Sequence, residues 1–439
     1  MPLRLVADAV LPCDEALTIH RPGVVDVDDD GRIGHVGPAD GAEPPPGQTV
    51  QHVGGLLLPG LVNTHGHAPM TLLRGTGEDL PLLRWLSEVV WPREGRLTPD
   101  DVYWGMALAA AEQLRFGVTT SCEMYFYEEA IVDAVRDAGS RCVVTAAVLT
   151  APGMEHLGTW REQLEAAIAL GDRHAGGTDP RIEVGLAAHA AYTLPLEALT
   201  AIGEAARTHD RLLHIHVAES QGEAAELEAA HGASVPALLE RIGFLHPPRV
   251  LAAHSVWLSD DDIDIYRRND VAVAHCPQSN TKLASGIARV TDLLEHGVRV
   301  GLGTDGPASN NDLDLWEELR LAPLLQRART GDASALPAGT AIGLATRGGA
   351  GALGRADLGV LAAGRWADLM RLDIDDAAFT PLLTDRDLLA HLLWSAGARH
   401  VRDGWVAGRR VVSDGVVRTI DEPRARAEVQ RRAARLAAA

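Results

Sequence analysis

The sequence is short of lysine, aromatic residues, positive charge and long apolar runs. Lys282 is the only lysine among 40 basic residues, and aromatic residues make up 4% of the chain of 439. Acidic residues outnumber basic ones by 60 to 40, for a formal charge of −20. Such a surface repels a phosphate backbone, which excludes nucleic acid as a partner and leaves a small molecule as the expected ligand. No apolar run reaches the ~18 residues needed to cross a bilayer. The start, "MPLRLVADAVLP", is too short and too charged for a secretory leader, so no membrane is expected. Cysteine is scarce too: Cys13, Cys122, Cys142 and Cys276 show no C-x-x-C spacing and read as free thiols of a reducing cytoplasm. Apolar residues, by contrast, reach 46%, enough for a large core. The length suits one barrel-sized domain plus a smaller one.

Residues 1–57 read as short strands. "VVDVDDDGRIGHVG" alternates around Asp30-Gly31, a hairpin signal. Its acidic run from Asp26 is not read as a calcium loop, because Gly37 stands where the closing glutamate would be. A proline-rich turn is expected at 41–48. Then "LLLPGLVNTH", "GVTTSCEMY", "CVVTAAVL", "IEVGLAAHA", "LLHIHVAE", "VLAAHSV", "VAVAHCPQSN" and "VRVGLGTDG" alternate with helical patterns at 100–115, 128–138, 161–171, 196–208, 221–241, 259–268 and 289–296. This alternation predicts an α/β fold, a (β/α)8 TIM-type barrel over 58–360. Strand-like patterning returns over 361–420, so both chain ends are expected to build one small β-sandwich. Residues 421–439 are expected to form a C-terminal helix with a solvated, mixed-charge surface.

Buried parallel strands should be nearly all aliphatic. Here polar residues crowd the C-terminal ends: His65 and His67; His189; His214, His216 and Glu219; His254; His275 and Asn280; Asp305. Each alone has a plainer reading, as a loop pair, a core histidine or a turn aspartate. Together they fall at the one barrel end where chemistry happens. His65 and His67 share a strand face, as do His214 and His216. His214 lies deeper, so His216 is the better ligand and His214 a core or supporting residue. Three imidazoles and a carboxylate suit zinc or ferrous iron, either of which makes hydroxide available from water at neutral pH. Glu219, three residues past His216, is placed to handle protons. The glutamates after it, Glu223 included, read as solvated helix surface.

"PGLVNTHGHAPMTLLRG", "HIHVAES", "LAAHSV", "HCPQSNTKLASG" and "GLGTDGPASNNDLDLWEELR" together resemble the amidohydrolase superfamily. More narrowly they are similar to its methylthioadenosine/S-adenosylhomocysteine deaminase branch, over nearly the whole chain. The resemblance implies a metal-dependent deaminase of an adenine nucleoside, with guanine, 8-oxoguanine, a pterin or an s-triazine as alternative rings and a non-catalytic structural homologue as a remote one. It implies a homo-oligomer and one divalent ion, zinc or ferrous iron, on His65, His67, His216 and Asp305. Glu219 would shuttle protons, His254 would polarise the nucleophile, and Asp305 would also accept a proton. Glu94 would bind the ribose hydroxyls and His189 the substrate, with Ser309, Asn310, Trp85 and Trp91 lining the pocket. Binuclear relatives bridge two metals with a lysine or glutamate at the end of the fourth strand, and "EVGLAAHAAY" offers neither. Members that grip the S-adenosylhomocysteine carboxylate use an arginine after the third strand. That position aligns with Ala146, and the next arginine is Arg161, so an uncharged 5′ group is expected. Cys122 and Cys276 are assigned no chemistry.

Overall fold

The computed structural model describes residues 2–39, 44, 47–177 and 179–438; of the turn expected at 41–48, only 44, 47 and 48 are among these. Eight parallel strands lie side by side in chain order: β1 (Leu61–Gly66), β2 (Val118–Tyr125), β3 (Arg141–Val148), β4 (Ile182–Ala190), β5 (Leu213–Val217), β6 (Val250–His254), β7 (Val271–His275) and β8 (Val300–Leu302). The ring closes where Thr64 Oγ1 donates to the Leu302 carbonyl at 2.8 Å and the Asp305 amide to the His65 carbonyl at 3.0 Å. Helices pack outside, and the strands are buried along almost their whole length. The (β/α)8 barrel is therefore formed, and every strand delivers its C-terminal end to one face.

The chain ends build two further sheets. Leu3–Ala7, Gly23–Val27, Ile33–Pro38 and Thr49–His52 form one, with Gly23–Val27 and Ile33–Pro38 antiparallel around the Asp30-Gly31 turn. In the other, Leu369–Leu372 runs antiparallel to Leu56–Pro59, so segments more than 300 residues apart share a sheet. Arg141, at the base of β3, reaches this sandwich and donates two buried hydrogen bonds to the Asp368 carboxylate, at 2.7 and 3.0 Å.

Two helical expectations change. The pattern at 221–241 is two helices, Gln221–His231 and Val235–Arg241. Gly232 ends the first in a left-handed conformation (φ +66°), and Ser234 caps the second with Pro236 in its first turn. The C-terminal helix Glu422–Ala437 is not simply a solvated surface: Ala425, Val429 and Leu436 are buried, and Arg432 bonds Asp101 at 2.9 Å. Among the described residues no helix is long and apolar enough to cross a membrane.

Candidate active site

Four side chains from β1, β5 and the turn after β8 converge at the C-terminal mouth of the barrel. His67 Nε2 lies 3.2 Å from His216 Nε2, and Asp305 Oδ1 lies 3.4 Å from both His65 Nε2 and His67 Nε2. Donors around a tetrahedral ion at ~2.0–2.1 Å sit roughly 3.3–3.4 Å apart, so the cage has the span of a zinc site. Its polarity agrees. His67 Nδ1–H donates to the Met124 carbonyl at 2.5 Å, and His216 Nδ1–H to the His189 carbonyl at 2.6 Å. A carbonyl only accepts, so each ring commits its Nδ1–H there and turns Nε2 toward the other. Burial pushes His216 well below the usual imidazole pKa and His65 down to about 4, keeping both neutral. Two lone pairs held this close repel unless a cation lies between them. His65 Nε2 is likewise buried without a hydrogen-bond partner among the described residues. Three nitrogens and one carboxylate oxygen fit zinc or ferrous iron.

The turn carrying Asp305 is left-handed (φ +60°) and lies between two closely approached glycines. A Cβ on Gly303 would stand 2.9 Å from His65 Cβ, and one on Gly306 2.7 Å from Met70 Sδ. Asp305 Oδ2 accepts hydroxyl protons from Ser279 at 2.6 Å and Ser309 at 2.8 Å, which leaves Oδ1 for the cage.

Proton-handling groups surround it. Burial, with the Asp305 charge adding to it, pushes Glu219 up to about 8, so its carboxyl keeps its proton at neutral pH. Glu219 Oε2 lies 3.8 Å from His254 Nε2. His254 Nδ1–H donates to Asn280 Oδ1 at 2.8 Å, leaving Nε2 as an acceptor. His189 contacts Thr193 Oγ1 at 3.2 Å through Nδ1, and Thr193 spends its own proton on the Ala190 carbonyl, so His189 Nε2 also accepts. Glu94 closes the cavity opposite, beside Tyr125; burial raises it to about 7 against the lowering effect of the Tyr125 hydroxyl. Glu94 ends a helical stretch running from Leu82 whose middle turn, Leu86–Val90, is a wide π-turn. Pro92 lacks the N–H that would bond one turn back, and the wider turn accommodates its ring. The stretch roofs the cavity with Trp85, Leu86, Val90 and Trp91.

Residues 56–411 match the model of the amidohydrolase family. The chain belongs to that family. It is 42% identical over 392 residues (89% of this chain, 88% of the relative) to a 5-methylthioadenosine/S-adenosylhomocysteine deaminase of Pelotomaculum thermopropionicum. It is 41% identical over 373 residues (85% and 86%) to a 5′-deoxyadenosine deaminase of Methanothermobacter thermautotrophicus. Among solved structures, an adenosine deaminase from Xanthomonas campestris with bound zinc superposes with a TM-score of 0.94 at 34% identity, over 100% of this chain and 99% of that one.

Not every residue singled out in the sequence faces this amidohydrolase cavity. His67, His189, His216, Glu219, His254, Asp305, Glu94, Trp85 and Trp91 line it. Ser309 and Asn310 do not. Ser309 steadies Asp305, while Asn310 Nδ2 is spent on the Thr304 carbonyl at 2.7 Å and Glu318 at 2.6 Å, because the chain folds back after β8. Ala146 packs outward against the helices; its neighbour Ala147 and Leu149 face the cavity. His275 is buried outside the cavity lining. Glu223 is not solvated surface: 2% exposed, it accepts the Glu219 amide at 2.8 Å and closes a capping box with Ser220. The Ser220-x-x-Glu223 spacing carries that signal in the sequence. Tyr125, Tyr192, Phe126 and Leu149 complete the wall and carry no sequence signal beyond hydrophobicity.

Proposed function

We propose that this amidohydrolase is a zinc-dependent aminohydrolase that removes the C6 amino group of an adenine nucleoside as ammonia. The observation that carries the reading is a three-histidine, one-carboxylate cage beside the buried Glu219 and His254. A zinc ion on His65, His67, His216 and Asp305 would bring the pKa of water it binds to about 7 and so supply a nucleophile. Ferrous iron fits the same donors.

The protein's own groups account for the proton traffic. Glu219 gives its proton to the ring nitrogen next to the amino-bearing carbon, making that carbon electrophilic. His254 Nε2, 3.8 Å from Glu219, polarises the attacking water. Asp305 Oδ1 takes up the second proton. Glu219, now a carboxylate, takes the first proton of the water and passes it to the departing amine, and Asp305 then returns the second to Glu219, so that one water is consumed and one ammonia released per turnover. His189 Nε2 accepts a hydrogen bond from the substrate, and Glu94 accepts from the ribose hydroxyls. The apolar roof of Trp85 and Trp91 excludes bulk water.

The relatives' names support adenine nucleosides as the substrate class. Zinc-loaded protein should release ammonia from adenosine, 5′-deoxyadenosine or methylthioadenosine. Turnover of guanine, 8-oxoguanine, a pterin or an s-triazine with none of any adenine nucleoside would overturn the reading. The four buried free thiols accord with a reducing cytoplasm. The exposed Leu324, Leu383 and Val416 are available for homo-oligomer contacts, which light scattering would measure.

A further inference from the structure

Of the three imidazoles in the cage, His67 and His216 have their tautomers fixed by carbonyls. His65 does not. Its Nδ1 lies 3.0 Å from Nε2 of another histidine, His214, the rings edge to face at 85°. An imidazole can donate or accept, so this contact alone leaves the polarity of His65 open. The bond beyond it decides. His214 Nδ1 lies 3.1 Å from Thr145 Oγ1, and Thr145 donates its single hydroxyl proton to the Glu123 carbonyl at 2.9 Å. The carbonyl can only accept, so the proton between Thr145 and His214 must come from His214 Nδ1. His214 is fully buried and, among the described residues, no carboxylate hydrogen-bonds it, so it is neutral and has one N–H. Its Nε2 must then accept from His65 Nδ1–H, and His65 Nε2 is left with a lone pair.

From this chain of bonds we infer that His214 is a positioning residue for the metal site. With Thr145 it forces His65 into the tautomer that can ligate a metal and holds its ring plane. The inference rests on the metal site of the reading above. It uses a neutral imidazole where metal-binding histidines commonly lean on a carboxylate or a carbonyl. The opposite polarity is available. Cys122 Sγ lies 3.7 Å from His214 Nδ1. A thiol proton given there would place N–H on His214 Nε2, turn His65 Nδ1 into an acceptor, and put the remaining His65 proton on Nε2, aimed at Asp305 rather than at an ion. Thr145 disfavours that arrangement, because its hydroxyl proton is committed to the Glu123 carbonyl.

The test measures zinc affinity of the folded protein by competition with a chromophoric chelator, beside the melting temperature of the metal-free form. Parent protein that fails to bind zinc would refute the metal site itself and is thereby distinguished from failure of the inference. Given a parent that binds, His214→Met, similar in bulk but only a weak acceptor for the N–H, should weaken zinc binding about 10–100-fold, the usual cost of losing such a supporting partner. His214→Gln, whose side-chain carbonyl can accept, should recover part of that loss. Thr145→Val is nearly isosteric and touches neither the metal cage nor the substrate cavity. It should weaken zinc binding in the same direction by less; losing two buried hydrogen bonds also lowers the metal-free melting temperature, so affinity is compared at a temperature where the variant is folded. A His214 that merely fills space predicts unaltered affinity in Thr145→Val and no difference between Met and Gln at 214. Either result would overturn the inference, even if His214→Met should fail to fold.

Discussion

His67 Nε2 and His216 Nε2 face each other 3.2 Å apart, each with its other nitrogen committed to a main-chain carbonyl. The fold therefore enforces a repulsion that a cation relieves. One ion is expected, because β4 ends in His189 and Ala190 with no lysine or glutamate to bridge a second. Lys282, the only lysine, is engaged with Glu78 at 3.0 Å. Chelator-washed and reloaded protein should hold close to one zinc per chain, and His216→Ala should lose it along with ammonia release. A content near two in the active form would show that the bridging argument is wrong.

Glu219 is the residue whose loss should separate chemistry from binding. Glu219→Gln keeps the bulk and loses the acid. Turnover should fall at least ~10²-fold while zinc content stays at the parent level. Glu226, exposed on the same helix, is the proper control, and Glu226→Gln should be neutral. Glu223→Gln should not be neutral, since Glu223 holds the Glu219 amide. Near-parental turnover in Glu219→Gln would pass the shuttle role to His254.

The fold class and the cage were legible from residue types because metal chemistry allows few of them, and histidines at the ends of aliphatic strands have no packing explanation. Legibility ended where geometry, not chemistry, decides. "VVTAAV" in β3 offers only Thr145 to mark its faces, too weak a signal to separate Ala146 from Ala147 although a one-residue shift reverses the side chain. Asn310 follows Asp305 closely enough to look like a wall of the pocket, yet the turn sends it to Glu318. The task of His214 depends on Thr145, 69 positions away, and a threonine in a β-strand gives no warning of it. Glu223 and Gly232 are the reverse case, with a capping box and a helix-ending glycine both visible in the residues.

Specificity at the 5′ end can be stated without knowing how the nucleoside lies. Among the described residues lining the cavity there is no arginine or lysine, and the carboxyl groups present are Glu94, Glu219 and Asp305. An enclosed substituent carboxylate would lose its hydration with no basic side chain in the lining to pair it. Methylthioadenosine should therefore exceed S-adenosylhomocysteine in kcat/KM by at least ~10-fold, the factor corresponding to one unpaired buried charge. Equal values would mean that the tail escapes the cavity. Lys282→Ala would then test whether it reaches the outer groove where Lys282 and Arg84 stand.

Glu94 makes a prediction about stability rather than rate. Burial raises its pKa from 4.5 to about 7 in the folded chain. The folded state therefore favours the protonated carboxyl. That contribution is present in full below about pH 4.5, declines as pH rises, and is gone once pH passes about 7. At higher pH the folded chain carries a buried carboxylate whose burial outweighs the help of the Tyr125 hydroxyl, at a cost of up to about 3 kcal/mol at 1.36 kcal/mol per pKa unit. Glu94→Gln removes the titration and keeps the shape. Urea midpoints of the variant and parent should coincide near pH 4.5, and the variant should become the more stable of the two by pH 8.5. The same substitution should raise KM for adenine nucleosides, because an amide is a weaker acceptor for the ribose hydroxyls than the carboxylate it replaces. A variant less stable than the parent at pH 8.5 would mean that the carboxylate has a partner in the folded chain, with Tyr125 the nearest donor to examine.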